Sequence, residues 1–534
     1  MQHDHIQVLS LAALAQTRIH IHAIIIQSWW RSPGNSMTGE APKVNEALWR
    51  ALFRLAPRSE APLQLQLRRI LVAAILDGRL PPGSALPSSR DLAKILTISR
   101  NTVALAYRQL IDDDLIEARE RIGYFTRTSD LAGSLAVNTL PSPQSGCPVW
   151  SERIIKRYSQ QRNIRKPRNW HEYPYPFVYG QSDPTLFPLA EWRECSRAAL
   201  AVLAVRDWSS DMIDGDDPLL IEQLQQRILP RRGIWANSNQ IMITVGAQHA
   251  LYLLAELLVG TGCLAGIEDP GYPDARNILE AHGAQLRTLS LPCGGLASES
   301  EFMELDMVYL TPSHQCPTSS TMEFTTREAL LGIADRNDLI IIEDDYESEL
   351  NFYGQATPAL KSLDRSDRVI YIGSLSKTLA PGLRLGYIVA APEVIFEARA
   401  LRRLMLRHPP ANNQRAAGLF LQLGYHDTLV RRLIGTFSSR AAILTEALNT
   451  HLSEFSFSPV NGGSSLWVKG PVTLDARRLA NAAERVGVLI EPGDVFFHVP
   501  GAVCPYFRVG FSSIPAERIE PGIRRLASLI DGLI

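Results

Sequence analysis

The chain has 534 residues, of which 46% are hydrophobic and 20% are charged, and its formal net charge is -1. This length exceeds what one hydrophobic core ordinarily uses, so we expect two or three domains. The balanced charge excludes a polycation that coats nucleic acid without specificity, and any contact with DNA must therefore come from a local patch.

The cysteines and the hydropathy pattern narrow the class further. The six cysteines are scattered, and none forms a Cys-x-x-Cys pair. This spacing argues for a reducing compartment and against structural zinc or disulfides. No apolar run reaches the roughly 18 residues that a membrane span requires. We expect a cytoplasmic protein that has no metal site and does not enter a membrane.

Residues 1–57 are predicted to be an N-terminal extension. The segment Ile6–Trp30 is apolar but is interrupted by polar residues, so it fits neither a signal peptide nor a membrane span. Its histidines lack a converging acidic or cysteine partner. We expect a mobile tail here, or a start of translation at Met37.

Residues 58–128 have the pattern of a helix-turn-helix followed by a β-ribbon. Apolar residues recur on one helical face from Leu63 to Ile75. Ser88 and Asp91 have the capping-box spacing at the start of a short second helix, and Ser99 is placed to cap a third. Two short helices joined by a short turn form the helix-turn-helix motif. Residues 119–125 predict a β-ribbon wing after it.

Hydrogen-bonding side chains occupy the positions that meet DNA in such a motif. The N-terminal residues of its second helix face base edges, and the helix N-terminus favours a phosphate. The alternative left open is a three-helix protein-interaction module with a solvated charged face. The candidate DNA-binding residues are Arg90, Ser99, Arg100, Asn101, Thr102 and Arg121.

Residues 129–175 are predicted to be a linker. Prolines, serines and a glycine are followed by a basic stretch, and no periodicity holds across the segment. We expect a tether with one short helix near residues 150–158. Its positive charge could touch DNA phosphates, but a solvated linker is the interpretation that we adopt.

Residues 176–534 alternate short apolar runs with helical patterns. Runs that are apolar throughout are typical of strands buried on both faces of a mainly parallel sheet. We therefore expect an α/β domain whose ligand site lies beyond the carboxyl ends of the strands. The predicted strands are Ile241–Val245, Cys263–Ile267, Met307–Leu310, Leu339–Ile342 and Val369–Ile372.

The residues that follow these strands are suited to hold the ring and the phosphate of pyridoxal phosphate. Gly246, with Ala247 and Gln248, opens a helix whose N-terminus can bind a phosphate. Tyr272 offers an aromatic ring that can stack on a pyridine. Asp344 can keep the pyridine nitrogen protonated, so that the ring acts as an electron sink. The hydroxyl of Tyr346 can bond the phenolic oxygen of the ring.

The last of these strands leads to the candidate catalytic residue Lys377, which can form a Schiff base with the cofactor aldehyde. Ser374 and Ser376 precede it, and Arg384 follows at a distance suited to neutralise the phosphate. Near the C-terminus, Arg508 presents a fork that suits a substrate carboxylate. Taken singly, a lysine after a strand is usually a surface residue. The joint order of these residues indicates a pyridoxal phosphate site.

Several segments resemble known families. The small domain is similar to the GntR-type winged helix, and residues 176–534 resemble the class I, fold-type I aminotransferases. From about residue 45 the whole chain resembles the MocR-type (GabR-like) regulators. The closest phrases are Leu80–Gly83, Leu86–Ala93, Ser99–Val103, Thr311–Gln315, Ile342–Tyr346 and Ser376–Tyr387.

This resemblance implies roles for the candidate residues. Lys377 would be the aldimine lysine, Asp344 would pair with the pyridine nitrogen and Tyr346 with the ring oxygen. Tyr272 would stack on the ring, Ser374 and Arg384 would hold the phosphate, and Arg508 would hold the effector carboxylate. The residues matching those that contact DNA in the GntR family are Arg90, Ser99, Arg100, Asn101 and Thr102. Family members are dimers in which each winged helix reaches over the partner's large domain, so a head-to-tail homodimer is expected.

Two positions depart from the family pattern. Cys316 precedes Pro317 where true aminotransferases have an asparagine, which removes one contact to the ring oxygen. Residues 214–218 replace a Tyr-Gly-Asp-Pro run, which removes a tyrosine contact to the phosphate.

The sequence therefore predicts a regulator of transcription that binds a double-stranded DNA operator. It would sense an amino acid or related amine through an external aldimine that displaces Lys377 from pyridoxal phosphate. Two alternatives are a working aminotransferase that carries a DNA-binding domain, and a plain repressor with a dead effector domain.

Overall fold

The structure, a computed structural model, describes residues 49, 61–120, 122–127, 148–289, 298–352, 357–458, 461–530 and 532–533. The chain divides into two compact units, residues 1–154 and residues 155–534. Arg121 lies outside the described residues, as do residues 128–147, which include the first part of the predicted linker. The predicted extension lies outside them too, apart from Trp49, which is buried in the core of the small unit.

The described part of the small unit has three helices and a short antiparallel sheet, and a fourth, short helix follows them in the chain. Its sheet has the order β1-β3-β2, so the hairpin of β2 and β3 forms the wing and β1 pairs with β3. Leu67, Leu71, Leu92, Val103 and Leu110 have no exposed surface and form the core. The elements are α1 (Leu63–Leu76), β1 (Ala85–Leu86), α2 (Ser89–Leu96), α3 (Arg100–Asp112), β2 (Ile116–Arg119), β3 (Gly123–Thr126) and α4 (Trp150–Arg153).

Side-chain caps fix where α2 and α3 begin. The Ser88 hydroxyl accepts a hydrogen bond from the backbone N–H of Asp91 at 3.2 Å, and Ser99 accepts one from Thr102 at 3.1 Å. Each cap satisfies a helix N–H that has no partner within the helix. Between the two helices Thr97 has a φ of 55°, which ends α2 and turns the chain. The predicted winged helix-turn-helix is confirmed.

The large unit is built on a seven-stranded sheet, counted within the described residues, with the order β5-β11-β10-β9-β8-β6-β7. Six strands run parallel, while β11 is antiparallel to both of its neighbours. The mainly parallel α/β fold predicted from the sequence is confirmed. The strands are β5 (Ile241–Thr244), β6 (Leu264–Glu268), β7 (Gln285–Leu289), β8 (Met307–Leu310), β9 (Ile340–Asp345), β10 (Val369–Ser374) and β11 (Gly386–Val389).

Two smaller sheets complete the unit. A four-stranded sheet has the order β12-β13-β16-β15, and a parallel pair joins β4 to β14. The start of the large unit is thereby tied to its C-terminal part. The strands are β4 (Tyr175–Pro176), β12 (Ser456–Phe457), β13 (Ser465–Lys469), β14 (Val488–Leu489), β15 (Glu491–Pro492) and β16 (Tyr506–Gly510).

Helices cover the central sheet, and its strands are buried almost throughout, apart from the edge strand β7, in which only Leu289 is buried. Among the described helices, none combines the length and the apolar composition of a membrane span. The helices of this unit are α5 (Leu189–Ala199), α6 (Val202–Trp208), α7 (Pro218–Gln223), α8 (Ala247–Leu258), α9 (Pro273–Ala281), α10 (Glu299–Phe302), α11 (Phe324–Asn337), α12 (Leu360–Leu363), α13 (Pro392–Leu406), α14 (Ala411–Gln422), α15 (Tyr425–His451), α16 (Ala476–Arg485) and α17 (Ala516–Ala527).

Candidate functional site

Two consecutive aspartates end β9, and their side chains leave the strand on opposite faces. Asp345 accepts hydrogen bonds from Arg232 Nε and from the Tyr371 hydroxyl, each at 2.8 Å. Burial opposes ionisation of Asp345, but the Arg232 guanidinium outweighs it and holds the pKa below its ordinary value. The charge of Asp345 is thus matched inside the protein.

Asp344 forms no ion pair within the described residues, although the Lys377 cation acts on it at longer range. Its Oδ2 accepts one hydrogen bond, from the Tyr309 hydroxyl at 2.7 Å, while its buried Oδ1 has no hydrogen-bond partner among the described residues. Burial raises the pKa of Asp344 to about 6. A buried carboxylate oxygen without a donor costs free energy. The protonated ring nitrogen of pyridoxal phosphate is a donor of the kind that this oxygen lacks, so Asp344 fits the cofactor.

A second part of the site lies where β5 meets α8. Gly246 caps α8 with a φ of 82°, a backbone conformation that favours glycine. A Cβ at this position would lie 3.0 Å from Nη2 of Arg384, and that nitrogen donates to the carbonyl of Val245 at 3.1 Å. The helix N-terminus and an exposed guanidinium are therefore adjacent, as a phosphate requires.

The remaining candidates for the phosphate lie around this point. Ser374 ends β10 in register with Gly386, which in turn faces Thr244 at the end of β5. The Ser374 hydroxyl accepts a hydrogen bond from the backbone N–H of Ser376 at 3.2 Å. The Ser376 hydroxyl is buried and points to the carbonyl of Leu385 at 3.4 Å. Ser374 is thus the better placed of the two serines.

Two residues of the predicted site make contacts that the sequence did not indicate. The side chain of Gln248 donates to Asp274 at 3.2 Å, so the part of Gln248 and Ala247 left for a phosphate is the backbone. The Tyr346 hydroxyl donates to the carbonyl of His314 at 2.7 Å. In this structure the hydroxyl proton of Tyr346 is therefore donated to a carbonyl of the protein itself.

Aromatic rings form the wall beside Asp344. Tyr272 and Tyr309 line one cavity together with Phe496. The Tyr272 hydroxyl donates to Asp274 at 3.0 Å, which fixes the direction of the ring. Tyr272 and Tyr346 both pack against a cluster that contains Cys316, Trp467 and Phe496.

Lys377 lies over the ring of Tyr179, with its Nζ 4.0 Å from the ring centroid. Burial lowers the pKa of Lys377 to about 8, and the cations of Lys166 and Arg508 lower it too, against Glu347 and Cys316. A lysine of this kind is a nucleophile near neutral pH, because part of its population is unprotonated.

Arg508 lies over the same ring as Lys377. Its guanidinium carbon is 3.9 Å from the centroid of Tyr179. Its Nε and Nη2 both lie 2.7 Å from Oε2 of Glu491, and Nη1 faces the sulfur of Cys316 at 4.0 Å. The structure thus brings Lys377 and Arg508 together over one aromatic ring.

Sequence reasoning missed several residues of the site. Tyr179, Glu491, Tyr309 and Lys166 follow no motif, and contacts between segments far apart in the chain bring them there. The residues that replace the expected Tyr-Gly-Asp-Pro run are structural. Asp216 pairs with Arg402 at 2.6 Å, and Asp217 caps α7 through the N–H of Leu220.

The predicted DNA-binding residues lie around the start of α3 in the small unit. Arg90, Ser99, Arg100 and Asn101 are exposed, and Thr102 is half-buried. Ser99 and Thr102 are joined through their hydroxyl oxygens at 2.8 Å and belong to the helix cap. Across the described part of the chain, no hydrogen bond or ion pair holds the side chains of Arg90, Arg100 or Asn101, which leaves them available to a ligand.

Two family models match the chain, one for each unit. Residues 63–125 match the bacterial regulatory proteins of the gntR family. Residues 210–526 match the aminotransferase class I and II family. The winged helix and the α/β unit described above are therefore each of a known type.

Relatives and solved structures agree with these matches. The HTH-type transcriptional regulator TauR of Rhodobacter capsulatus is 41% identical over 89% of this chain and 98% of its own length. The probable rhizopine catabolism regulatory protein MocR of Rhizobium meliloti is 30% identical over 88% of this chain and 94% of its own. The chain belongs to the MocR family of transcriptional regulators.

The large unit of this MocR-family protein has the fold of an aminotransferase. The kynurenine aminotransferase of Pyrococcus horikoshii, whose structure is in complex with PMP, has a TM-score of 0.66 and 26% identity. That match covers 72% of this chain and 98% of the aminotransferase. The predictions of the family and of pyridoxal phosphate as cofactor are confirmed. The MocR-family protein is thus a GntR-type regulator with an aminotransferase-like unit for this cofactor.

Proposed function

We propose that this regulator senses an amino compound that also carries an anionic group. The amine would displace Lys377 and form an external aldimine with pyridoxal phosphate. The observation that carries this proposal is that Lys377 Nζ and the Arg508 guanidinium lie 4.0 and 3.9 Å from the same ring, that of Tyr179. An effector with an amine and an acid group could therefore engage both positions at once.

The cofactor supplies an aldehyde and an electron-withdrawing ring, and the protein supplies the groups that hold it. In our proposal Oδ1 of Asp344, which has no hydrogen-bond partner among the described residues, would accept a hydrogen bond from the ring nitrogen, and Tyr272 would stack on the ring. Tyr346 lies beside the ring oxygen. The phosphate is held by Ser374, Ser376, Arg384 and the backbone N–H groups at Gly246, Ala247 and Gln248.

The effector signal would reach an operator through the winged helix. We propose that the start of α3 enters the major groove, where hydrogen-bonding side chains meet bases and phosphates. The protein would act as a head-to-tail homodimer on two half-sites, so that a change in the large unit alters their spacing. The proposed contacts are Arg90, Ser99, Arg100, Asn101 and Thr102, with Arg121 of the wing outside the described residues.

Borohydride reduction followed by peptide mass mapping tests the bond at Lys377. We expect one cofactor adduct on Lys377 in the wild-type protein and none in Lys377→Ala. In a reporter assay Lys377→Ala should lose its response to the effector but keep DNA binding. A normal response by Lys377→Ala would refute the sensing proposal, and an absent adduct would favour a plain repressor.

A second candidate function is amino-group transfer, because the large unit spans 98% of an aminotransferase structure. Incubation with an amino acid and a keto acid separates the two functions. Continuous production of a new amino acid would favour an enzyme. A spectral change of the cofactor without turnover would favour the sensor.

A further inference from the structure

Residues 161–168, here called the strap, precede the large sheet in the chain and bond to residues 497–498 and to helix α9. Arg162 donates from Nη2 to the carbonyl oxygens of Phe497 and His498 at 3.1 and 2.6 Å. The carbonyl of Arg162 accepts from Arg276 and Asn277 at 3.1 and 3.0 Å. The strap is therefore an anchored part of the large unit, and along the chain it is the segment that leads back to the DNA-binding unit.

Lys166 belongs to the strap, and its side chain lies at the proposed effector site, beside Glu491 and Tyr179. Lys166 Nζ lies 3.1 Å from Oε1 of Glu491 and also donates to the carbonyl oxygen of Tyr179. Only 22% of its side chain is exposed. Lys156, by contrast, is exposed, and among the described residues its side chain forms one hydrogen bond, to the carbonyl of Ala281 at 3.3 Å. Of these two lysines, Lys166 alone is part of a built site.

Three cations surround the ring of Tyr179. Lys377 and Arg508 contact it closely, and Lys166 Nζ is 5.7 Å from its centroid. Glu491 bonds both Lys166 and Arg508. A different carboxylate, that of Glu347, raises the pKa of Lys377, and it accepts a hydrogen bond from Ser464 at 2.5 Å. Lys166 and Arg508 thus share a single carboxylate, that of Glu491, so an anionic group of a ligand would find two cations at this point.

We infer that Lys166 is a second cationic holder of the effector's anionic group, acting together with Arg508. The inference rests on the proposed function, because it concerns the other end of the same amine. The ligand class is an amino carboxylate, whose amine would reach the Lys377 position while its carboxylate approaches Arg508 and Lys166 beside Glu491 or in its place. Binding of the effector at this site would then change the contacts of Lys166, which belongs to the strap.

The test measures selectivity in the full-length protein loaded with pyridoxal phosphate. Glycine, β-alanine and γ-aminobutyrate are titrated against alkylamines of matched length, and the cofactor absorbance reports binding. The variants are Lys166→Met, Lys166→Arg as the charge-preserving form, and Lys156→Met as the matched control. Hydrogen exchange of residues 161–168 is followed with and without the amino acids.

We expect Lys166→Met to lower the preference for amino acids over alkylamines by about tenfold or more, as for loss of a charged hydrogen bond. Lys166→Arg and Lys156→Met should keep the wild-type preference. In the wild type the amino acids, but not the alkylamines, should change the exchange of the strap. A melting curve establishes that each variant is folded.

The outcomes separate this inference from the proposed function. If Lys166→Met keeps the wild-type preference, or weakens amino acids and alkylamines equally, Lys166 does not hold the anion, and sensing through Lys377 stands. If no amine in the panel changes the wild-type spectrum, the sensing proposal fails and the role of Lys166 fails with it.

Discussion

Glu491 and Arg508 lie directly opposite each other on the antiparallel strands β15 and β16, and their side chains form a buried ion pair of 2.7 Å. The Arg508 guanidinium holds the pKa of Glu491 below its ordinary value, although burial acts in the opposite sense. Glu491 thereby occupies the position that an external anion would need. An effector must bind beside this carboxylate or displace it.

Replacing Glu491 by glutamine should destabilise the effector-free protein. The change leaves Arg508 and Lys166 buried without their common anion, and removal of one partner of a buried pair costs about 3–5 kcal/mol. Urea unfolding of the large unit measures the loss. Saturating γ-aminobutyrate should restore more stability to the variant than it adds to the wild type.

Glu397→Gln is the matched control for this change. Glu397 is exposed on α13, so its substitution should alter stability by less than about 0.5 kcal/mol. A loss for Glu491→Gln no larger than that of the control would contradict the view that this carboxylate neutralises the site.

Asp344→Asn and Asp345→Asn should have opposite consequences. In Asp344→Asn the new amide would keep an acceptor for Tyr309 but lose the charge that pairs with the ring nitrogen, so affinity for pyridoxal phosphate should fall about 10- to 100-fold. The stability of the apoprotein should not fall, because the buried oxygen that lacks a partner no longer carries charge. Equilibrium dialysis and urea unfolding measure the two effects.

The neighbouring substitution serves as the control. Asp345→Asn leaves the buried Arg232 without its counterion and should cost the apoprotein about 3–5 kcal/mol. Equal stability losses in the two variants would show that Asp344 is a structural residue and does not await a ligand.

The rate of cofactor capture by the apoprotein should depend on pH through Lys377. Only the unprotonated amine attacks an aldehyde, and the pKa of Lys377 is lowered from 10.5 to about 8. The rate should therefore rise up to about pH 8 and level off above it. Stopped-flow absorbance across this range gives the midpoint.

Substitutions around Lys377 should move that midpoint in opposite directions. Lys166 lowers the pKa of Lys377, so Lys166→Met should move the midpoint to higher pH. Glu347 raises this pKa, so Glu347→Gln should move the midpoint to lower pH. Shifts of the same sign in the two variants would rule out the charge arrangement described for this site.

Arg100→Ala should weaken binding to operator DNA. Arg100 is exposed at the start of α3. A contact to a base is worth about 1–3 kcal/mol of binding free energy, and a contact to a phosphate adds about 0.9 to the slope of log binding constant against log salt concentration. Fluorescence anisotropy at several salt concentrations, on a duplex selected by the wild-type protein, distinguishes a base contact from a phosphate contact. Arg108→Ala, exposed further along the same helix, should bind as the wild type does. Equal losses in both variants would argue against this orientation of α3.

The caps of α2 and α3 were predictable from sequence because they are local. Ser88 and Ser99 each bond a backbone N–H three residues ahead, so the spacing alone contains the information. The polar strand ends were predictable for a related reason. Parallel strands end at one edge, and Asp344 and Ser374 therefore had to lie near each other.

The rest of the site depends on contacts between segments far apart in the chain. Lys166 and Glu491 contact each other although they lie near opposite ends of the large unit's sequence. No pattern in the predicted linker distinguished Lys166 from its basic neighbours. Strand β11 was also missed. It follows the turn at Arg384 and runs antiparallel to its neighbours, which the apolar runs alone did not indicate.

The alternation at the end of β9 has a consequence for how this chain can change over time. Because Asp344 and Asp345 leave the strand on opposite sides, adding or removing a single residue earlier in β9 would exchange them. Asp345 would then leave the face on which it bonds Arg232, and Asp344 would leave the face on which it bonds Tyr309. We therefore expect descendants of this protein to tolerate substitutions in β9 far better than insertions or deletions.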